Sequence, residues 1–344
     1  MTDIENHCKQ NMESPSEEPP LIGIVGPTAV GKTAVAISLA HRLNGEIISA
    51  DAVAVYRGLN IGSAKPDATE RAEIAFYLVD VCHPDEDFTL ADFQRLAEEA
   101  ISDIRRRGKT PILVGGTGLY VRSVTATLNM PTVPPHPEIR RRLEDDAENF
   151  GLETLYARLK EVDSLSAAKV QSGDARRIIR ALEVWEVTGI PLSDFHTPEG
   201  VQGIPRPNVY LFGLAMNREA LYQRIETRVD AMMAAGLEVE VRGLLAAGYD
   251  PSLKSLQSLG YRHMISVING ELSREQAVTE LKRDTRRYAK RQLSWFNADA
   301  RVRWLNAEKI ETEGLVKGTT AIAEQVIEAL QQIKQENPPD EGNT

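Results

Sequence analysis

Gly26-Pro27-Thr28-Ala29-Val30-Gly31-Lys32-Thr33 carries the spacing G-x-x-x-x-G-K-[ST]. Glycines at its two ends allow the backbone to turn so that its N–H groups point inward. A helix that opens at the second glycine adds further free N–H groups and the positive end of its dipole. Such a cradle attracts phosphate oxygens. Lys32 contributes a point charge, and the Thr33 hydroxyl suits Mg²⁺. The loop therefore speaks for phosphate or diphosphate and does not specify ATP. Two carboxylates, Asp51 and Asp80, follow or close apolar runs, and either suits the Mg²⁺ ligand of a P-loop kinase. A fourth run ends in Gly115-Gly116-Thr117-Gly118. Basic clusters stand at Arg105–Arg107, Arg140–Arg142, Arg176–Arg180 and Arg283–Arg291.

The elements around these residues alternate. Leu21–Val25 is a short apolar run, as a buried parallel strand requires, and helical spacing follows over Thr33–Leu43. Glu46–Ala50, Phe76–Val81 and Pro111–Val114 read as further strands. Leu90–Arg107 reads as an amphipathic helix stopped by Gly108. Strand alternating with helix predicts an α/β fold, a P-loop NTPase-like parallel sheet flanked by helices. From Pro131 to about Pro205 no convincing strand is found, and Pro131, Pro134, Pro135 and Pro137 mark a boundary. That stretch reads as an inserted all-helical domain. Asn208–Ala215 returns to the sheet. Leu221, Ile225, Val229 and Met232 share one helix face with Gly236 as its stop, Ser273–Phe296 forms a long basic helix, and Val302–Leu305 is a last strand. The expected organisation is a disordered tail over 1–20, a core of 21–129 and 206–336, an insertion over 130–205, and a second tail over 337–344.

Bulk properties narrow the classes. The chain has 344 residues and a hydrophobic fraction of 42%, enough for a sizeable core. No apolar run reaches the roughly 20 residues of a membrane span, and the polar, acidic start lacks the pattern of a signal peptide. The expectation is a cytoplasmic protein with no membrane partner. The two cysteines, Cys8 and Cys82, have neither zinc nor redox spacing. A formal net charge of -10 argues against nucleic-acid binding by the whole surface. The placement of the arginine clusters matters more than the sum.

Six separated segments, GPTAVGKT, ISADAVAVYRGLNIGSAKP, LVGGTGLYVRSV, DARRIIRALEVWEVTGIPLS, LGYRHM and DTRRYAKRQLSWF, together resemble the tRNA dimethylallyltransferases. The resemblance runs in order from about Leu21 to Leu305 and is closest to the bacterial form, since no cysteines stand near the C-terminus for the zinc finger that eukaryotic members often add. It implies that Gly26 to Thr33 hold the diphosphate of dimethylallyl diphosphate with Mg²⁺ rather than ATP, with Thr33 as the metal residue. It implies transfer of the dimethylallyl group to the exocyclic amine of the adenosine 3′ to the anticodon, in tRNAs that read codons starting with U. Asp51 matches the catalytic aspartate, suited to accept the proton of a weakly nucleophilic amine. Thr117 matches a threonine at the target nucleotide and is the second expected catalytic residue, its hydroxyl suited to accept from the amine or to steady Asp51. Matches to tRNA-contacting segments are Asp51, Ala52, Val53, Ala54, Thr117, Arg140, Arg176, Arg177, Ile178, Ile179, Arg180, Leu256, Gln257, Ser258, Leu259, Gly260 and Tyr261. The partner implied is the tRNA anticodon stem-loop, gripped partly by the helical insertion, and the enzyme is expected to act as a monomer. Arg287, Lys290 and Arg291 admit two readings, lining the diphosphate or RNA side, or pairing with acidic neighbours. Tyr120, Trp185 and Trp295 are read as core rather than as stacking platforms.

The chain departs from the family pattern in places. Where the family has D-S-x-Q-V-Y, it reads Asp51-Ala52-Val53-Ala54-Val55-Tyr56, and G-Y-K-E becomes Gly260-Tyr261-Arg262-His263. Two side chains able to make polar contacts with RNA are alanines, which points to an altered tRNA preference. Two readings from other classes are a small-molecule kinase, which predicts phosphoryl transfer without RNA, and a non-catalytic, nucleotide-switched RNA-binding protein. The second predicts that Asp51→Asn leaves function intact.

Overall fold

The computed structural model describes residues 18–128, 136–195 and 203–336. The expected tails over 1–17 and 337–344, and Pro131, Pro134 and Pro135, lie outside the described residues. Residues 18–20 do not behave as a tail. Arg105 donates to Pro19 O at 2.9 Å and pairs with Glu18, and Asn208 Nδ2 donates to Glu18 O at 2.7 Å.

The strands are β1 (Leu21–Val25), β2 (Gly45–Ala50), β3 (Phe76–Tyr77), β4 (Thr110–Gly115), β5 (Ala126–Thr127), β6 (Ile204–Pro205), β7 (Val209–Ala215) and β8 (Val302–Asn306). Six form one parallel sheet in the order β3-β2-β4-β1-β7-β8, so the sheet is α/β and parallel throughout. β1 lies between β4 and β7 and is buried along its whole length. Its side chains alternate between two apolar layers, because successive residues of a strand face opposite ways. Leu21 and Val25 pack with Ile48 and Leu113, and with Phe93, Ala97 and Ile104 of the helix Leu90–Arg106. Ile22 and Ile24 pack with Ile112 and Phe212, and with Val35 and Leu39 of the helix Lys32–Leu43. Each such side chain, fully buried, contributes about 1.5–3 kcal/mol.

The chain divides into two compact units, Met1–Val124 with Pro207–Thr344, and Thr125–Arg206. The second is built from the helices Pro137–Phe150, Leu152–Val162, Ser164–Lys169, Ala175–Thr188 and Leu192–Phe195 around Leu143, Leu159, Ile178 and Leu182. It also contains strand structure that the sequence did not reveal. β5 and β6 pair antiparallel at its ends, Ala126 with Pro205 and Thr127 with Ile204. Two-residue strands are too short to show an alternating pattern.

The apolar run Phe76–Val81 is a strand only at Phe76–Tyr77, which pair with Ile47 and Ile48. Leu78 and Asp80 then take φ of 60° and 58°, a left-handed backbone that no strand continues. This turn corrects the reading of Asp80 as a metal ligand. Its Oδ1 is taken by Lys65 at 2.6 Å and its Oδ2 by Arg71 at 2.7 Å. Asp80 thereby anchors the loop after Asp51, since Lys65 Nζ also donates to Tyr56 O.

Candidate active site

The sheet gathers its functional loops at the carboxyl ends of β1, β2 and β4, where open α/β sheets bind ligands. After β1, the backbone turns at Gly26 (φ 135°) and Gly31 (φ 106°), and the helix opens at Lys32. A Cβ on Gly26 would lie 2.6 Å from Leu214 O, so glycine is required there for space as well as for φ. Val30 is fully buried and pins the loop to the core. Lys32 Nζ donates to Pro27 O at 2.6 Å, and Arg224 Nε donates to Ala29 O at 2.8 Å.

After β2, Asp51 closes a side-chain turn. Its Oδ1 accepts from the N–H groups of Val53 at 2.8 Å and Ala54 at 3.1 Å. After β4, the Thr117 N–H donates to Ala50 O at 3.2 Å, and Thr117 Oγ1 accepts from Ala52 N at 3.1 Å. The two turns are thus stitched together. A Cβ on Gly115 would stand 2.1 Å from Ala50 O, so only glycine permits this approach.

These loops border a cavity of about 540 Å³. Asp51, Ala52, Val53, Gly62 and Ser63 form one wall, and residues 257–260 another. The helix Arg218–Ala234 supplies Ile225, Arg228, Val229 and Met232, and the helix Arg274–Asn297 supplies Leu281, Asp284, Thr285, Arg287, Tyr288 and Arg291. A smaller recess of about 100 Å³ joins Lys32, Thr33, Ser49, Asp51, Ala54, Arg228 and Gln292. Arg228 borders both and makes no hydrogen bond or salt bridge within the described residues. Burial, then the charge of Arg228, push the Lys32 ammonium down to about 7, against an opposing pull from Asp51. Burial and Arg224 likewise lower Arg228, while Asp51 opposes. Burial and the Asp51 charge push the Tyr288 hydroxyl up to about 12. The recess therefore brings two cations, Lys32 and Arg228, beside the Asp51 carboxylate. Its hard oxygen donors, the Thr33 hydroxyl and the Asp51 carboxylate, suit Mg²⁺. Among the described residues no group of three His, Cys, Asp or Glu is placed to hold a metal ion, so bound phosphate oxygens and water would complete the shell of such an ion.

The expected site residues separate into three groups. Thr28, Lys32, Thr33, Asp51, Ala52, Val53, Ala54, Gln257, Ser258, Leu259 and Gly260 line the cavity or recess, with Thr117 bonded to Ala52. Leu256 and Tyr261 are fully buried, and the Tyr261 hydroxyl donates to Glu240 at 2.7 Å. Glu240 also collects the N–H groups of Asn60, Ile61 and Gly62, so Tyr261 helps shape the wall rather than presenting its ring to the cavity. Arg140, Arg176, Arg177, Ile178, Ile179 and Arg180 belong to the helical unit. There, burial corrects the expectation for Ile178 and Ile179, whose side chains are core. Arg140 and Arg180 both bind the buried carboxylate of Glu183, at 2.8 and 2.7 Å, while Arg176 and Arg177 are exposed. Of the open cases, Arg287 and Arg291 line the cavity, Arg287 also reaching Asp284 at 3.5 Å, and Lys290 is exposed. Tyr120 is core, stacked on Phe93.

Arg228, Tyr288 and Gln292 went unnoticed in the sequence. Arg224 and Arg228 are one turn apart on a helix whose Leu221, Ile225 and Val229 are buried, so an i, i+4 arginine pair beside an apolar stripe was the available signal.

The phosphate loop on a parallel sheet places the chain among the P-loop α/β proteins. The sequence profile of the family described as IPP transferase matches residues 54–299. The tRNA dimethylallyltransferase of Desulforudis audaxviator is 45% identical over 291 residues, covering 85% of this chain and 93% of that protein. A tRNA isopentenylpyrophosphate transferase from Bacillus halodurans is similar in structure, with a TM-score of 0.66 and 38% identity, covering 93% of this chain and 99% of that one. A eukaryotic dimethylallyltransferase acting on tRNA gives a TM-score of 0.75 at 26% identity, covering 94% and 81%. The chain belongs to the IPP transferase family.

Proposed function

We propose that this protein transfers the dimethylallyl group of dimethylallyl diphosphate to the exocyclic amine of the adenosine 3′ to the anticodon of tRNA. The observation that carries the reading is the shared site. A recess at the phosphate loop that holds Lys32 and Arg228 shares Thr28, Asp51, Ser63, Arg228 and Tyr288 with a cavity whose lining is part apolar and part hydrogen-bonding. The family and the relatives named for this activity support it.

In this reading, residues 26–33 and Arg228 hold the diphosphate, with Lys32 and Thr33 at the recess. Ile225, Val229, Met232 and Leu281 offer apolar surface for the allylic group. The target adenine leaves its stack to reach the cavity, as bases do in other modifying enzymes. Its amine attacks the allylic carbon as the carbon–oxygen bond breaks, and the diphosphate departs with the electron pair. Asp51, held in place by Val53 and Ala54, accepts the amine proton. Thr117 steadies the Asp51 loop through Ala52. Mg²⁺, held by Thr33 beside the diphosphate, would offset the negative charge that builds on the leaving group. Gln257 to Gly260, and Arg140, Arg176, Arg177 and Arg180 on the helical unit, contact the anticodon stem-loop. In this reading the enzyme acts in the cytoplasm as a monomer, and one chain supplies Lys32, Asp51 and Arg228 to the site.

Ala52 lines the cavity and Ala54 is buried at the recess, so neither carries a polar side chain to the RNA. A base contact is worth about 1–3 kcal/mol of discrimination, which supports a shifted tRNA preference. The test is incubation of purified protein with Mg²⁺, dimethylallyl diphosphate and unmodified tRNA, with prenylated adenosine read by mass. Absence of product with tRNA bound would overturn the activity. Product distributed over tRNAs as by a relative carrying the serine and glutamine would overturn the shifted preference.

A further inference from the structure

Gln292 occupies a position that none of the roles above uses. It stands in the last third of the helix Arg274–Asn297, only 6% exposed. Its amide spans two loops. Oε1 accepts from the Thr28 N–H of the phosphate loop at 2.8 Å, and Nε2 donates to Gly116 O of the Gly115–Gly118 turn at 3.0 Å. The loops meet at the same place, since a Cβ added to Gly116 would fall 2.0 Å from Gln292 Nε2 and 3.3 Å from Gly26 O. One residue beyond Gly116, Thr117 holds the Asp51 loop through Ala52 N. One helical turn before Gln292, Tyr288 lies against Thr117 and Gln292.

We infer that Gln292 is a positioning residue that sets the distance between the diphosphate cradle and the loop carrying Thr117 and Asp51. The inference rests on the proposed prenyl transfer. A primary amide is the side chain that fits, because it presents one acceptor and one donor on a single rigid plane. The Thr28 N–H is spent on Gln292, so this amide serves alignment of the cradle rather than adding to its donors. Lys32, Thr33 and Arg228 remain to bind the diphosphate whether or not Gln292 is present. What changes on its loss is the register of the reacting carbon against the amine and Asp51. A displacement reaction is sensitive to such register, and a shift of about 1 Å can cost on the order of a hundredfold.

Gln292→Met keeps the length and loses both hydrogen bonds. With both substrates saturating, kcat should fall about tenfold to a hundredfold, while the KM for dimethylallyl diphosphate stays within about threefold. Ala277→Gly, in the first turn of the same helix and buried in the core, controls for lost stability and should keep kcat within about threefold. A rise in donor KM at unchanged kcat would overturn the inference and make Gln292 a binding residue. So would a kcat loss matched by Ala277→Gly. Hydrogen–deuterium exchange supplies a readout free of activity. Peptides covering 26–33 and 115–118 should exchange about tenfold faster in Gln292→Met. Unchanged protection in both would sink the clamp even if wild type makes product. Faster exchange with an inactive wild type would instead reject the proposed reaction and leave the clamp standing.

Discussion

Replacing Asp51 tests proton acceptance apart from loop geometry. Its Oδ1 holds the Val53 and Ala54 N–H groups at 2.8 and 3.1 Å. Asp51→Asn retains an oxygen at that position, so both bonds persist without the charge that strengthens them, a loss of about 1 kcal/mol. Asp51→Ala deletes both bonds, at about 0.5–1.5 kcal/mol each. If Asp51 only shaped the loop, Asn would rescue most of what Ala loses. If it accepts the amine proton, Asn and Ala should both cost about 10²–10⁴ in kcat, or about 3–5 kcal/mol of barrier. Single-turnover formation of prenylated adenosine at saturating donor measures the step. Urea unfolding of the same variants measures the loop. The expected pattern is Asn close to Ala in rate and close to wild type in stability. Asp51→Asn within about tenfold of the wild-type rate would refute the role of Asp51 as base.

Three further outcomes follow from the geometry. Burial, then the charge of Arg228, push Lys32 down to about 7 from its ordinary 10.5, and a bound diphosphate favours its charged form. The donor KM should therefore rise as pH climbs through about 7 to 8, and Lys32→Met should flatten that profile, as steady-state kinetics would show. Between about 7 and 10.5 the unfolded chain binds the extra proton, so the Lys32 contribution to stability rises with pH. In the helical unit, burial disfavours the Glu183 carboxylate, but Arg180, Arg140 and the His136 N–H outweigh it and lower its pKa. Its stabilisation is then full above about 4.5 and lost as pH falls through the lowered value. Glu183→Gln should cost about 1–3 kcal/mol in denaturant unfolding, discounted because both arginines are partly exposed. Gly115→Ala forces a Cβ to within 2.1 Å of Ala50 O, and about 3 kcal/mol of stability should go with it. An unchanged unfolding midpoint would show that β2 and β4 can spread apart freely.

Much of this molecule was legible in one dimension because its constraints are local. A run such as Leu21–Val25 followed by Gly26 and Lys32 encodes strand, turn and helix within a dozen residues, and repeating that alternation dictates a parallel sheet. The phosphate loop is local too, since its chemistry lies in consecutive backbone N–H groups. Other features depend on residues far apart in the chain. Asp80 looked like a strand-end carboxylate until Lys65 and Arg71 claimed both its oxygens. Ile178 and Ile179 sit among arginines in sequence, but the helix turns them into the core at 0% and 6% exposure. Gln292 lies 264 residues from Thr28 and 176 from Gly116, and no spacing rule reaches that far. The local order of residues thus determined the fold class and the cradle. Only the packing of two distant helices against the strand ends decided what surrounds Asp51, because burial and electrostatic neighbours are properties of space rather than of sequence.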